Sequence, residues 1–211
     1  VTGELRIYYD VASPFCYAAY AMVQRLRRRW DLVVDWLPFE VIDYLPPRGA
    51  MPQNPAFVRR GEAARAMALA QQYGLTLQLR DRLLNSNLAL CAVQAARDLA
   101  GPDRAEQLLG ALFTAFYTEE RDISDLAVVL EVTRQADRDT DLEGPLRLGA
   151  YREQVARIRQ DAQDLGVVAV PTWLSGGFGV VGVPALAEIE RLLSAGAGSS
   201  LSLADSGDRA R

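Results

Sequence analysis

Two short strand-like runs flank a single helix within the first 38 residues, and that order constrains the chain more than any other feature. Leu5-Arg6-Ile7-Tyr8-Tyr9 is apolar and aromatic, as a strand requires. Asp10-Val11-Ala12 reads as a turn. Ser13-Pro14 then opens a helix, because serine is a good N-cap and proline suits the first helical position. Phe15, Ala18, Ala19, Met22, Val23 and Leu26 follow at helical spacing, and Arg27-Arg28-Arg29 close the helix where cations favour its dipole. Leu32-Val33-Val34-Asp35-Trp36-Leu37 is a second strand, stopped by Pro38. A β-α-β opening of this kind predicts a parallel pair joined by a right-handed crossover.

The rest of the chain alternates less. Residues 43–55 hold four of the ten prolines and read as an irregular connection. From about residue 57 to 139 the pattern is helical throughout. The helices predicted there cover residues 56–73, stopped near Gly74; 88–99, stopped by Gly101-Pro102; 103–117; and 124–136, with Ser124 as cap. Residues 146–165 read as one long helix. Val167-Val168-Ala169-Val170 is a β-branched run that leads into Pro171-Thr172-Trp173-Leu174; Gly176-Gly177 turns into a short strand at 178–181, and residues 184–193 form a last helix. The order is β-α-β, a helical block, then α-β-β-α. The expected organisation is a discontinuous α/β unit of residues 1–53 and 140–195, an all-helical insertion of 54–139, and a polar tail of 196–211.

Composition removes most enzymatic chemistries. The sequence has no histidine, and all 23 of its basic residues are arginine. No histidine means no Ser-His-Asp triad and no imidazole base. No lysine means no Schiff base and no phosphate-loop lysine. Two cysteines without histidine cannot build an ordinary structural zinc site, so no metal is expected. A net charge of −4 gives no footprint for nucleic acid, and no apolar run reaches the roughly 18–20 residues that cross a bilayer. The chain as given opens without a basic stretch followed by an apolar one, which sets the expectation of a cytoplasmic, reducing environment.

The nucleophiles that remain are Cys16, Cys91, hydroxyls and carboxylates. Cys91 lies in the apolar stretch Leu88-Ala89-Leu90-Cys91-Ala92-Val93 and is expected to be a small core residue. Ser13-Pro14-Phe15-Cys16 stands where a strand turns into a helix. There, first-turn N–H groups and the helix dipole favour negative charge and lower a thiol's pKa, while burial of an inward-facing thiol opposes ionisation. Ser13 reads equally as a plain N-cap, and Cys16 as a core residue under the first strand.

Asp10-Val11-Ala12-Ser13-Pro14-Phe15-Cys16-Tyr17 resembles the active-site segment of the DsbA family, above all its FrnE-like branch, which typically reads Asp-x-x-Cys-Pro-Trp-Cys-Tyr. It is also similar to kappa-class glutathione transferases and 2-hydroxychromene-2-carboxylate isomerases, which carry Ser-Pro at the helix start. Three further segments agree: Trp36-Leu37-Pro38-Phe39-Glu40, Arg121-Asp122-Ile123-Ser124, and Leu165-Gly166-Val167-Val168-Ala169-Val170-Pro171-Thr172-Trp173. Together they span residues 5–193. The resemblance implies a thioredoxin fold with an inserted helical subdomain and a cis Val170-Pro171 bond opposite the first helix. It implies Ser13, Cys16 and Pro171 as catalytic positions, with Pro14, Phe15, Val170, Thr172 and Asn85 as binding positions.

The departure from the family's pattern bears on mechanism. The redox members attack with their first cysteine and resolve with the second. Here Ser13 holds the first position, so the two-thiol cycle is not available. Three functions follow as expectations. One is single-thiol redox chemistry at Cys16 on a protein or small-molecule thiol or disulfide. Another is a glutathione-dependent isomerase or transferase in which Ser13 holds the glutathione thiolate. The third is a non-catalytic module whose backbone before Pro171 pairs with an extended ligand. Those glutathione-dependent relatives usually place a Ser-Asp or Asp-Arg pair after the last strand, where this chain has Val181-Gly182-Val183-Pro184. Cys16 and Cys91, in different subdomains, are expected not to pair.

Overall fold

A computed structural model describes residues 2–53 and 56–198 of the 211. The first strand, β1 (Thr2–Tyr9), alternates exposed and buried residues until Ile7 and then buries everything through Asp10, because it runs into the middle of the sheet. Helix α1 (Pro14–Leu26) buries Cys16, Tyr17, Ala18, Ala19, Met22, Val23 and Leu26. Full burial of an Ile7 or Leu26 contributes about 1.5–3 kcal/mol each, so this helix–sheet contact is the foundation of the core. Strand β2 (Asp31–Pro38) pairs parallel with β1 over its whole length, from Thr2 opposite Asp31 to Tyr9 opposite Pro38.

The helical block follows as α2 (Ala56–Tyr73), α3 (Asn87–Ala100), α4 (Pro102–Tyr117) and α5 (Leu126–Ala136). Next come α6 (Glu143–Leu148), α7 (Arg152–Asp164), β3 (Thr172–Ser175), β4 (Phe178–Val181) and α8 (Leu186–Gly198). The sheet order is β2-β1-β3-β4, with β3 antiparallel to both β1 and β4. This is the expected thioredoxin topology with helices inserted between β2 and β3. The principal hydrophobic cluster runs unbroken from Ile7 and Trp173 through Met22 to Leu109 and Phe113. The helices of the block and the sheet therefore share a core.

Several elements differ from expectation. Residues 75–86 are not helical: they run as an irregular segment tied by Gln78 N–H to Tyr117 O (2.7 Å) and by a bridge between Leu83 and Ala50. The expected helix over 146–165 is two, broken at Gly149, whose φ of 65° is left-handed. Asp125, not Ser124, caps α5, its carboxylate accepting the Ala127 N–H at 2.7 Å. Ser124 is held instead by Asp122, through both its N–H and its hydroxyl. The run Val167–Val170 is not a strand; β3 starts only at Thr172. The last helix continues to Gly198, into the expected tail, of which 199–211 lie outside the described residues, as does the boundary expected at residue 54.

Candidate functional site

Ser13 stands at the junction the sequence identified. Its backbone is extended (φ −96°, ψ 115°), its N–H is bonded to Asp10 O (3.1 Å), and its hydroxyl oxygen accepts from Cys16 N–H at 3.4 Å. It is therefore an N-cap as well as a surface group. The first turn offers fewer donors than a generic helix start. Pro14 has none, and Cys16 N–H is shared between the Ser13 hydroxyl and Ser13 O (3.0 Å). Phe15 N–H is the one left without a partner there among the described residues.

The two halves of the motif face opposite ways. Ser13, Pro14 and Phe15 are half-buried and line a cavity of about 660 Å³. Cys16 is fully buried, off the cavity wall, under β1. Burial pushes its thiol up to about 12, overcoming the Ser13 hydroxyl and the Asp10 backbone that pull it down. Of the two opposing effects on this thiol, desolvation prevails. Cys91 is also buried and likewise pushed up to about 12 by burial, against the pull of Arg152. Both cysteines are free.

Opposite Ser13, Val170-Pro171 is a cis peptide, as the resemblance implied. Val170 lines the cavity, and no backbone hydrogen bond engages it among the described residues. Pro171 is buried behind it, with its carbonyl accepting from Gly182 N–H at 2.7 Å, and Gly182 O accepts in turn from the Trp173 indole at 2.8 Å. Thr172 is buried and bonds Ala169 O at 2.6 Å, so its place is in shaping the bend rather than in contact with the cavity. Asn85 is a tie: its amide donates to Leu45 O (2.8 Å) and its carbonyl accepts Asn87 N–H (2.9 Å), while the cavity wall at this point is Leu84 and Ser86. The structure thus brings Ser13, Pro14, Phe15 and Val170 to one cavity and sets Cys16, Pro171, Thr172 and Asn85 behind it.

The rest of the wall was not anticipated. Val41, Ile42 and Leu45 come from the loop after β2, Ala63 and Ala66 from α2, Leu79 and Leu83 from the irregular segment, and Phe116 and Tyr117 from the end of α4. Arg65 of α2 lies over the Phe15 ring at 5.6 Å. Beneath Ser13 sits Asp10, buried, accepting Ala12 N–H and Val41 N–H at 2.9 Å each, with the Ser86 hydroxyl as a further donor. Burial holds its carboxyl above the ordinary aspartate range despite these donors. Glu40, bonded to Asn87 at 2.8 Å, is also raised by burial. Asp10 carried a signal in the sequence: an aspartate two residues before an amide it can bind is an Asx turn. Among the described residues no group of side chains is arranged to hold a metal ion, and no helix is long and apolar enough to cross a membrane.

With the geometry in place, comparison with known proteins is informative. The DSBA-like thioredoxin domain pattern matches residues 4–194. A probable DsbA oxidoreductase, SCO1869 from Streptomyces coelicolor, superposes with a TM-score of 0.80 at 21% identity, covering 95% of this chain and 92% of that one. A 2-hydroxychromene-2-carboxylate isomerase gives 0.74 at 19% identity, covering 94% and 99%. The cytosolic disulfide reductase DsbM from Pseudomonas aeruginosa, solved with GSH, gives 0.60 at 21% identity, covering 81% and 84%. At these identities the structural likenesses establish the fold.

Proposed function

Because this chain belongs to the DSBA-like thioredoxin domain family, we propose that it is an enzyme of the thiol–disulfide class whose working group is the Ser13 hydroxyl. It acts on a small thiol of the glutathione kind together with an apolar second substrate. The observation that carries this reading is the opposite orientation of the motif's two halves: Ser13 on the cavity wall, Cys16 fully buried with its thiol pushed up to about 12.

Ser13 is not itself a nucleophile, since the chain holds no histidine or lysine to take its proton. A bound thiolate supplies the nucleophile. The Ser13 hydroxyl, whose hydrogen turns freely about the Cβ–Oγ bond, donates to that sulfur, and Phe15 N–H and the positive helix end add to the same potential. Val170 offers an unpaired backbone to the ligand's peptide groups. The apolar wall excludes water and strengthens each of these interactions. The residues present fit the sulfur end of glutathione. They do not reproduce the Ser-Asp or Asp-Arg pair that the resembling enzymes usually place after the last strand for the γ-glutamyl end: Val181 and Val183 stand there, and Gly182 has both its backbone groups committed. This chain would therefore hold the tripeptide by its sulfur and backbone. A cytosolic setting goes with this reading, because reduced thiols persist there.

Single-thiol redox chemistry at Cys16 is the second reading, favoured by a free thiol three residues after Ser13 in a chain that carries the cis Val170-Pro171 bond. It requires Cys16 to leave the core. The two readings separate in one experiment: intact-mass analysis after incubation with oxidised glutathione, alongside calorimetric titration with reduced glutathione. The proposal expects saturable binding and no mass adduct on the native protein. An adduct of one glutathione at Cys16, with no saturable binding, would replace it with the redox reading.

A further inference from the structure

Resting on that reading of the Ser13 cavity, we propose that the apolar second substrate carries an anionic group of carboxylate type, and that Arg80 is the residue that binds it. Arg80 lines the cavity on the wall formed by the helical insertion, while Ser13 lies on the wall formed by α1. It is half-buried and held in place: one Nη donates to Arg121 O at 3.0 Å, and the guanidinium lies over the Phe116 ring at 5.4 Å. Its Nε is buried and has no hydrogen-bond partner among the described residues.

The charge is also unmatched. No carboxylate lies within ion-pair distance of Arg80 among the described residues. The acids closest to its anchor are taken: Glu119 and Glu131 pair with Arg121 at 3.7 and 2.7 Å. Asp10, on the same cavity, already accepts two backbone amides. Glu62 and Asp81 line the mouth at exposed positions, where water screens them. Arg82, by contrast, spends its donors on Arg48 O and Gly49 O at 2.9 and 3.0 Å and is structural.

Because Nε is buried out of a ligand's reach, a guanidinium fixed by an aromatic face and one carbonyl offers its Nη edge to a ligand, and that edge matches a carboxylate or sulfonate oxygen. The nearby wall of Leu79, Leu83 and Phe116 is apolar, so the ligand's body is apolar; Arg60 also lines the cavity but stands exposed, which leaves Arg80 as the half-buried cation there without a carboxylate partner among the described residues. The anion has two possible sources, the apolar ligand itself or the carboxylates of glutathione, and the proposal commits to the first.

The test uses two fluorescent probes that share one aromatic skeleton and differ in the sulfonate group, 8-anilinonaphthalene-1-sulfonate and neutral N-phenyl-1-naphthylamine. Each is titrated into the parent protein, Arg80→Gln, Arg80→Lys and Arg82→Gln, with thermal unfolding of each variant recorded. The expected result is sulfonate binding weakened about tenfold or more in Arg80→Gln, with the neutral probe unchanged. Arg80→Lys should recover part of the loss, and Arg82→Gln should match the parent for both probes. Glutathione affinity should be the same in Arg80→Gln and the parent. Equal weakening of both probes overturns the proposal, because Arg80 would then only shape the cavity. So does an Arg80-dependent loss of glutathione with the sulfonate unaffected, which assigns the anion to the tripeptide. Failure of the Ser13 reading shows separately, as glutathione binding that is absent or indifferent to Ser13→Ala, and leaves the probe result standing.

Discussion

Glu106 and Asp10 are both carboxylates buried close to the first helix, and the molecule treats them in opposite ways. Glu106 on α4 is gripped by Arg27 through two bonds of 2.6 and 2.9 Å, by Gln24 at 2.8 Å and by the Trp36 indole at 3.1 Å. It ties α1, α4 and β2 together and faces no ligand cavity of useful size. Asp10 has no cation within ion-pair reach among the described residues, only amides and a hydroxyl, and it lies on the cavity under Ser13. A buried acid neutralised by arginine marks a structural joint. A buried acid left to neutral donors marks a place where the local potential remains unbalanced, which is common at functional sites. The same contrast holds between Arg27, which is matched, and Arg80, which is not.

The comparison breaks most severely at Glu106. Glu106→Ala strands Arg27 and the Trp36 indole and should cost about 3 kcal/mol of stability, read as a shift of the urea midpoint. Ligand binding should survive below the transition. If Glu106→Ala abolished binding in a protein still folded, the division into joint and site would be wrong.

Asp10→Asn should cost less, about 1–2 kcal/mol, because an amide can accept only one of the two backbone N–H groups. Its pH dependence identifies the group. The folded-state pKa of Asp10 lies above the ordinary aspartate value, so the folded protein binds the extra proton and loses stability as pH rises from about 4 through that raised value. The parent should show this decline on top of the one that Glu40, also raised by burial, gives both proteins, so the gap between them narrows with rising pH. A gap that widens would mean that Asp10 is better stabilised as an anion in the fold than in the unfolded chain.

The smallest effect belongs to Thr172. Thr172→Val removes the 2.6 Å bond to Ala169 O and should cost about 1 kcal/mol. If Thr172 shapes the bend without meeting ligand, glutathione affinity should change by less than about twofold.

The sequence made the outline legible because its signals there are local. Ser13-Pro14 states a helix start, the alternation into Tyr9 and the run of Leu32 to Leu37 state two strands, and the Val-Pro-Thr segment marks the bend opposite them. The irregular segment of residues 75–86 fell within a stretch whose pattern reads as helical, between the expected helices of 56–73 and 88–99. Its true partners, Ala50 and Tyr117, lie more than thirty residues away, and no local pattern encodes them. Gly149 was a visible breaker, overridden by the helical periodicity on either side. In the site, the outward half of the motif could be read directly. The inward half could not: the fate of Cys16 depended on how deeply α1 sinks under β1, which packing across the whole core decides. Asn85 stood as a binding position through the family resemblance, but a polar side chain ahead of a helix also has a chain-tying use, and Leu45 O takes it.

The same contrast of outward and inward groups can be sharpened by restoring the missing sulfur. In Ser13→Cys, the new thiol stands on the cavity wall at the helix start, with Cys16 three residues on as the resolving partner. Insulin reduction with a thiol reductant should rise at least about tenfold over the parent, and Ser13→Cys/Cys16→Ser should lose the gain. A folded Ser13→Cys no faster than the parent would mean that the cavity no longer admits a disulfide substrate.

The central claim is that Ser13 handles sulfur and Cys16 is packing. The most direct measurement is the ultraviolet thiolate absorbance of bound glutathione as a function of pH in the parent, Ser13→Ala and Cys16→Ala. The account predicts that the parent and Cys16→Ala both lower the thiol pKa of the bound tripeptide, and that Ser13→Ala returns it to its free value. A lowered pKa that persists in Ser13→Ala and disappears in Cys16→Ala would contradict it.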